Sequence, residues 1–188
     1  MIETRNLTRT YINGDVETRV LKGIDFKAVS GEFIAIMGRS GAGKSTFLYQ
    51  MSLLDVPSGG DVYIDKHKAS NMTEAEKVSF RLINFGYVFQ EYALLPELTA
   101  IENVALPLLM QGKRKRDAYA ESGKALERVG MGARLHNLPS QLSGGEQQRV
   151  SIARAVAHVP KVLFADEPTA NLDNDSAKKV MEVFQTLH

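Results

Sequence analysis

The fold is indicated most directly by a glycine-rich stretch, Gly38-Arg39-Ser40-Gly41-Ala42-Gly43-Lys44-Ser45-Thr46, which matches the pattern G-x-x-x-x-G-K-[ST]. The residues before it, Phe33-Ile-Ala-Ile-Met37, are a short apolar run that predicts a strand buried on both faces. The residues after it, from Lys44 to about Leu54, have a helical pattern. A glycine-rich loop between a strand and a helix is typical of a phosphate site, because backbone N–H groups can surround the anion without interference from Cβ atoms.

Two side chains of this loop have predicted chemical roles. Lys44 would reach the β- and γ-phosphates of a nucleotide, and the Ser45 hydroxyl would bind Mg²⁺. The alternative is a glycine-rich turn with a solvated lysine. The strand and helix predicted on either side favour the phosphate loop.

Two acids, Asp166 and Glu167, follow a second apolar run, Val162-Leu-Phe-Ala165, which predicts another buried strand. Ligands of open α/β sheets bind at the carboxyl ends of the strands. We therefore predict that Asp166 binds Mg²⁺ opposite Ser45, and that Glu167 accepts a proton from water aimed at the γ-phosphate. The alternative is an acidic turn that ends a strand.

A second glycine-rich stretch, Leu142-Ser-Gly-Gly-Glu-Gln-Gln148, predicts the start of a helix. Ser143 and Glu146 have the spacing of a capping box, in which each side chain accepts from the other residue's backbone N–H. Gly144 and Gly145 would then occupy the first two helical positions, where each costs up to about 1 kcal/mol relative to alanine. Capping alone does not explain both glycines, so we predict a second anion-binding helix N-terminus.

The rest of the chain alternates strand and helix patterns. Residues 2–29 predict strands with a hairpin turn at Asn13-Gly14, and residues 85–89 predict a further strand. A helical block follows from Glu91 to Pro160, and a last helix begins at about Asn174. Capping boxes predict three helix starts, at Thr73 with Glu76, Thr99 with Glu102 and Ser143 with Glu146. This order predicts an α/β fold with a parallel sheet. Since no strand follows the last helix, we expect a chain truncated within its fold.

The composition excludes several kinds of site. The 188 residues contain no cysteine, which excludes disulfides, thiolate zinc sites and cysteine nucleophiles. A net charge of +1 argues against nucleic acid as a partner. The longest apolar stretch, Val104 to Met110, has seven residues, whereas a membrane crossing needs about 20. Charges among the first six residues argue against a secretory signal, so a cytosolic compartment is expected.

Together with the phosphate loop, the sequence LSGGEQQ resembles the signature of the nucleotide-binding subunits of ATP-binding cassette (ABC) transporters. The resemblance extends over essentially all 188 residues. It implies a P-loop NTPase fold with an ABC-type ATPase core, an antiparallel β subdomain and a helical subdomain. The core and β subdomain are expected at 1–90 and 160–188, the helical subdomain at 91–159, and the C-terminal strands are expected to be missing. The resemblance also implies a head-to-tail homodimer, or a pair with another ABC subunit.

In such a dimer the signature of one subunit closes over ATP held by the phosphate loop of the other. By the same resemblance, Tyr11 stacks on adenine, and Gln90 contacts Mg²⁺ and the attacking water. The loop Asn171-Leu-Asp173 crosses the dimer interface, where Asp173 contacts the phosphate-loop region of the opposite subunit. The ordinary alternatives are an edge-strand tyrosine, a solvated glutamine and a turn before a helix. The family's γ-phosphate histidine is expected after a further strand, and His188, which closes a helix, does not match it. The resemblance thus implies ATP and Mg²⁺ as cofactors. The expected nucleotide contacts are Tyr11, Gly38 to Thr46, Gln90, Ser143, Gly144, Gly145, Glu146 and Asp173; Mg²⁺ ligands are Ser45, Gln90 and Asp166; and catalytic residues are Lys44, Gln90 and Glu167.

The stretch from Phe89 to Pro107 is similar to the branch that includes lipoprotein-releasing and macrolide-exporting ATPase subunits. Those subunits work with separate membrane subunits. The similarity implies a peripheral position on the cytoplasmic side of the membrane, and export or extraction of a substrate from the membrane. Leu94, Leu95 and Pro96 either line a groove for a membrane subunit or pack inside the helical subdomain.

A soluble ABC ATPase in DNA maintenance or translation is the main alternative function. Chromosome-type members separate the two motifs by a long coiled coil, and translation-type members carry two cassettes. Here Lys44 and Ser143 lie 99 residues apart, heptads are missing and one cassette is present. A small-molecule kinase would leave the double-glycine signature unexplained. A nucleotide-binding module without turnover also stays open.

Overall fold

The computed structural model describes residues 1–65 and 67–187, so the prediction for His188 lies outside the described residues. The chain divides into two compact units, one from Met1 to Arg81 and one from Leu82 onward. The division into 1–90 with 160–188 and 91–159 stays a prediction.

The first unit is built on a four-stranded antiparallel sheet with the order β2-β1-β3-β4. The predicted hairpin forms one residue later than expected: Asn13 pairs with Val16, so the turn residues are Gly14, with φ 60°, and Asp15. Helix α1 packs Phe47 edge-to-face on Phe26 of β2, with ring centroids 5.4 Å apart. The elements of this unit are β1 (Ile2–Asn13), β2 (Val16–Ala28), α1 (Lys44–Met51), β3 (Gly59–Ile64), β4 (His67–Lys68), a 3-10 turn (Ala69–Asn71) and α2 (Glu74–Asn84), which ends in the second unit.

The strand predicted over residues 33–37 is not formed. The side chains of Phe33 and Met37 are 57% and 90% exposed, and the backbone of this segment belongs to neither sheet of the described residues. A strand needs a neighbouring strand to supply its hydrogen bonds. An apolar run indicates that a segment suits a sheet, but it does not specify which other strand the segment will pair with. The phosphate loop is therefore followed by its predicted helix but not preceded by its predicted strand.

In its described residues, up to Leu187, the second unit contains the end of α2, a parallel pair of strands and four complete helices. β5 pairs with β6 in a register that runs from Phe85 opposite Val162 to Val88 opposite Ala165. Both strands occur where the apolar runs predicted them, as does the last helix. The elements are β5 (Phe85–Val88), α3 (Ala100–Met110), α4 (Lys115–Arg128), two 3-10 turns (Gly132–Arg134 and Pro139–Gln141), α5 (Gly144–Val156), β6 (Val162–Ala165) and α6 (Asn174–Leu187).

One hydrophobic core joins all of these helices to β5. Side chains from each element are buried in it, because each helix presents an apolar face at helical spacing. Its members include Val88, Val104, Leu126, Ile152 and Phe184. The three predicted capping boxes are all formed, with the glutamate of each accepting from the backbone N–H of the threonine or serine. The helix starts were therefore predictable from four residues of local sequence.

Candidate functional site

The phosphate loop ends in a helix N-terminus that carries no cap. Gly43 is the N-cap of α1 with φ 89° and ψ 17°, and among the described residues no side chain caps this terminus. The first turn of α1 contains no acid. Uncapped N–H groups and the positive end of the helix dipole both favour an anion. The tip of α1 therefore has the donors that a phosphate group requires.

Close packing explains why position 43 is glycine. A Cβ atom there would lie 2.8 Å from Cγ1 of Val20, and the positive φ disfavours any other residue. Gly41 also has a positive φ, of 76°, but a Cβ there would meet nothing within 4 Å. The Lys44 ammonium donates to the carbonyl oxygens of Gly38 at 3.2 Å and Arg39 at 3.4 Å. The loop thus holds its lysine over its own backbone.

The carboxyl ends of β5 and β6 bring three predicted residues to one edge of the parallel sheet. Asp166 directly follows β6, is 5% exposed, and its backbone N–H donates to the carbonyl of Val88 at 3.0 Å. Gln90 lies two residues beyond the end of β5 and is exposed. Glu167 is exposed and has a left-handed φ of 43°, which turns the chain away from the strand direction. The sheet therefore sets an acid pair beside Gln90.

The second glycine-rich stretch begins α5 as the sequence predicts, and this tip is capped. The Ser143 hydroxyl accepts from the backbone N–H of Glu146 at 3.3 Å, and the Glu146 carboxylate accepts from that of Ser143 at 2.9 Å. The hydrogen bond from the Ser143 backbone lowers the pKa of Glu146. The charged carboxylate stays at the helix N-terminus over the neutral pH range, where it complements the helix dipole.

Groups of the same chain lie against both signature glycines. A Cβ atom on Gly144 would lie 2.9 Å from the hydroxyl oxygen of Tyr92. A Cβ atom on Gly145 would lie 2.9 Å from both Cβ and Oγ of Ser176 on α6. The sequence predicts close approach to these glycines and assigns it to an anion. Packing within the chain therefore accounts for the absence of a side chain at Gly145, whereas at Gly144 the close neighbour is the end of a tyrosine side chain, which can move.

The segment after Gln90 is held by residues that the sequence analysis did not identify. Tyr92 and Ala93 have left-handed φ values of 60° and 50°. The Arg154 guanidinium, on α5, donates to the carbonyl oxygens of Tyr92 at 2.8 Å and Ala93 at 2.5 Å. Burial lowers the pKa of Arg154, although an arginine stays charged in proteins. Asn171 donates its side-chain amide to the Gln90 carbonyl at 3.2 Å. No local sequence signal connects these residues.

Asp173 begins the last helix. Its carboxylate accepts from the backbone N–H groups of Asp175 at 3.1 Å and Ser176 at 2.9 Å. The hydrogen bond from Ser176 lowers the pKa of Asp173. A turn before a helix therefore accounts for this residue within the chain. The predicted contact of Asp173 with a second subunit stays a prediction.

Tyr11 lies on β1 with its side chain 39% exposed. The Arg9 guanidinium covers one face of the ring, 4.5 Å from its centroid. The phenol hydroxyl donates to the Asp55 carboxylate at 3.0 Å. The ring is thus held in place while the residue stays partly exposed.

These features suit a nucleotide and its cation. The α1 tip offers N–H donors and Lys44 for phosphate, Tyr11 offers a ring for a base, and Ser45, Gln90 and Asp166 offer the oxygen ligands that Mg²⁺ prefers. Ser45 belongs to the first unit and Asp166 to the second, so their joint binding of one cation stays a prediction. None of the helices among residues 1–65 and 67–187 has the length and apolar character to span a bilayer.

Known proteins resemble the whole chain. The family described as ABC transporter matches residues 21–170. The chain belongs to the ABC transporter family. As an ABC ATPase, it hydrolyses ATP and uses Mg²⁺. The predicted fold class is confirmed by the ATP-binding cassette MJ0796, solved as a dimer in a post-hydrolysis state with ADP and Pi. That structure has a TM-score of 0.92 and 38% identity, with 100% of this chain and 82% of that one covered.

Two relatives narrow the branch of the family. An uncharacterized ABC transporter ATP-binding protein of Methanocaldococcus jannaschii is 47% identical, with 100% of this ABC chain and 84% of the relative covered. The lipoprotein-releasing system ATP-binding protein LolD of Shewanella frigidimarina is 44% identical, with 100% and 78% covered. The predicted likeness to the lipoprotein-releasing branch is confirmed. The roles of individual site residues stay predictions.

Proposed function

We propose that this ABC ATPase drives a transporter that exports a substrate or extracts it from the membrane. It acts as a head-to-tail dimer on the cytoplasmic side of the membrane, together with an integral membrane subunit. The main support for this proposal is the N-terminus of α1, which has no side-chain cap among the described residues and so suits a triphosphate. Lys44, the predicted phosphate contact, is the first residue of this helix. The names of relatives in the lipoprotein-releasing branch support extraction from the membrane.

In the proposed reaction, water attacks the γ-phosphorus and ADP leaves. Glu167 accepts the proton of the water, Gln90 orients it, and Lys44 stabilises charge on the β- and γ-phosphates. Mg²⁺, when bound, neutralises phosphate charge, and the residues that would hold it are Ser45, Gln90 and Asp166. The exposed position of Glu167 at the end of β6 leaves its carboxylate accessible to a substrate water.

The dimer follows from the second glycine-rich tip. Ser143 is exposed at the N-terminus of α5, and Gly144 and Gly145 carry no side chains. We propose that this tip covers ATP held on the α1 tip of a second copy. Glu146 is occupied in the capping box, so Ser143 and backbone N–H groups are the donors that would face the phosphate. The dimeric structure of the related cassette MJ0796 supports this arrangement.

A surface for the membrane subunit is proposed at the loop after Gln90. The buried side chain of Asn103 donates to the carbonyl oxygens of Leu95 at 3.0 Å and Leu98 at 2.9 Å, and accepts from the Leu95 N–H at 2.8 Å. Leu95 is held with an exposed side chain, while Leu94 packs against the core. Leu95→Glu is expected to abolish copurification with the membrane subunit and to leave ATP hydrolysis by the isolated protein unchanged.

Glu167→Gln tests the proposed reaction. The amide cannot accept the proton, so we expect hydrolysis to fall by about 10²- to 10⁴-fold while Mg-ATP binding is retained. Mg-ATP should also convert the variant to a species of twice the mass, measured by light scattering. Glu182→Gln, the same change on the exposed face of α6, is the control and should hydrolyse normally. Wild-type hydrolysis by Glu167→Gln would contradict the role of Glu167, and a monomer in Mg-ATP would contradict the sandwich.

A further inference from the structure

We propose that Asp55 is a positioning residue that sets the adenine platform of Tyr11 relative to the phosphate loop. The inference rests on the proposed role of Tyr11 in nucleotide binding. Asp55 would hold the binding site of the base at a fixed distance from the binding site of the triphosphate, and both sites lie in the first unit.

Both oxygens of the Asp55 carboxylate accept two hydrogen bonds. Oδ1 accepts from Nη2 of Arg9 and from the backbone N–H of Val56, each at 2.8 Å. Oδ2 accepts from the Tyr11 hydroxyl at 3.0 Å and from Nε2 of Gln50 at 2.8 Å. Four donors fill the acceptor capacity of a carboxylate. Asp55 is therefore held in a single position and in turn holds its four partners.

Two of these partners form the base platform. Arg9 and Tyr11 are two residues apart on β1, so they point to the same face of the sheet. The guanidinium lies over one face of the Tyr11 ring, and Asp55 binds both groups. A base can then stack on the remaining face without first ordering the ring, and preorganisation of this kind increases affinity.

A third partner connects the platform to the phosphate helix. Gln50 lies on α1, whose N-terminus follows the phosphate loop, and its side chain is completely buried. Its Oε1 has no hydrogen-bond partner among the described residues. A buried amide with an unsatisfied atom is destabilising. The Gln50 amide offsets part of this cost by donating a hydrogen bond to Asp55. That hydrogen bond fixes the platform to α1.

The backbone supports the same connection. The N–H of Asp55 donates to the Tyr49 carbonyl of α1 at 3.2 Å. Three residues later, the Ser58 N–H donates to the Thr8 carbonyl of β1 at 2.9 Å, and the Ser58 hydroxyl accepts from the Thr10 N–H at 3.0 Å. The chain around Asp55 is therefore bound to α1 on one side and to β1 on the other.

The test compares two ligands, Mg-ATP and magnesium tripolyphosphate, which share the phosphates but differ in the base. Asp55→Ala should raise the Kd for Mg-ATP by about fivefold, as expected for the loss of a net hydrogen bond, and leave that for tripolyphosphate unchanged. Asp55→Asn should lose less affinity for Mg-ATP, because an inverted Gln50 amide can accept a hydrogen bond from the asparagine NH2 group. Tyr11→Phe in the Asp55→Ala background should add almost nothing, since the hydroxyl has already lost its acceptor.

Asp61→Ala is the matched control, since it removes an acid from the same sheet whose ion pair with Lys68 spans 2.7 Å. It should change neither Kd. Equal weakening of both ligands by Asp55→Ala, or no weakening of either, would overturn the inference. Tyr11→Ala distinguishes an error about Asp55 from an error about the adenine platform. If Tyr11→Ala weakens the binding of Mg-ATP but not of tripolyphosphate, and Asp55→Ala weakens neither, only the role of Asp55 is wrong. If Tyr11→Ala has no effect, the adenine platform of the proposed function is wrong.

Discussion

The two glycine-rich helix tips look alike in sequence but differ in structure. The α1 tip has a left-handed glycine as N-cap, no acid in its first turn and, within the described part of the chain, no side-chain cap. The α5 tip has Ser143 as N-cap and Glu146 in a complete capping box. The α1 tip thus lacks the side-chain cap and the first-turn acid with which the α5 tip satisfies part of its own donors.

The glycines of the two tips also differ in what surrounds them. A Cβ atom on Gly41 would meet nothing, whereas one on Gly144 or Gly145 would lie 2.9 Å from atoms of Tyr92 or Ser176. Gly41 in the phosphate loop faces open space, whereas Gly43 of the same loop, like Gly144 and Gly145 of the second tip, leaves room for atoms of the protein itself. Substitution of Lys44 at the α1 tip should therefore act on catalysis alone, whereas substitution of the α5 glycines should act on stability as well as on the proposed contact with ATP.

The largest effect is expected at the α1 tip. Lys44→Ala removes the ammonium that the loop holds at the Gly38 and Arg39 carbonyls. Loss of one preorganised charge should lower the rate of ATP hydrolysis by about 10²- to 10³-fold. The free energy of unfolding, measured by denaturant, should hardly change. A large fall in stability would remove the contrast between the tips.

The second-largest effect is expected at Arg154 of α5, which binds the backbone of Tyr92 and Ala93 after Gln90. Arg154→Met leaves the carbonyl oxygens of Tyr92 and Ala93 without their donor, which should lower the free energy of unfolding by about 1–3 kcal/mol. Ala93→Gly in that background should restore about 1 kcal/mol, because glycine adopts a positive φ readily. No recovery in urea unfolding would mean that Arg154 does not act through this strained segment.

Gly145→Ala should have a comparable or smaller effect on stability. The new methyl group would meet Ser176, and overpacking of this kind lowers the free energy of unfolding by about 1–3 kcal/mol. In a Ser176→Gly background the same change should become neutral or stabilising, since alanine is the better helix former. Gly123→Ala in α4, where a Cβ atom meets nothing within 4 Å, is the control and should stabilise the protein. Equal effects at positions 123 and 145 would contradict the packing argument.

The smallest effect is expected at the capping box. Glu146→Ala should lower the free energy of unfolding by about 1 kcal/mol at pH 7. Because the pKa of Glu146 is lowered in the folded state, its contribution is present above the ordinary glutamate pKa of about 4.3 and is lost as the pH falls through the folded value. The difference between variant and wild type should therefore shrink in acid. A difference that grows in acid would show that the carboxylate is not the stabilising form.

Local sequence accounts for much of the fold. Three capping boxes, the hairpin between β1 and β2 and the helices from Ala100 and Asn174 follow from residues close together in the chain. The strand predicted over residues 33–37 is the main failure. Its apolar composition suits a buried strand, but pairing depends on a partner that the run itself does not specify. The places of the phosphate loop and of the strand-end acids were predictable because each lies directly beside a helix or strand that the sequence predicts, and the roles of these residues stay predictions.

The sequence by itself determined the family, the positions of most helices and strands, and the residues expected at the nucleotide. Only the tertiary structure decided which side chains hold those residues. The contacts of Asp55 with Tyr11, of Arg154 with Tyr92 and of Asn171 with Gln90 join residues 44, 62 and 81 positions apart. Capping and periodicity act over one or two turns of chain. Contacts between distant segments depend on how the chain folds back, and no local pattern specifies that.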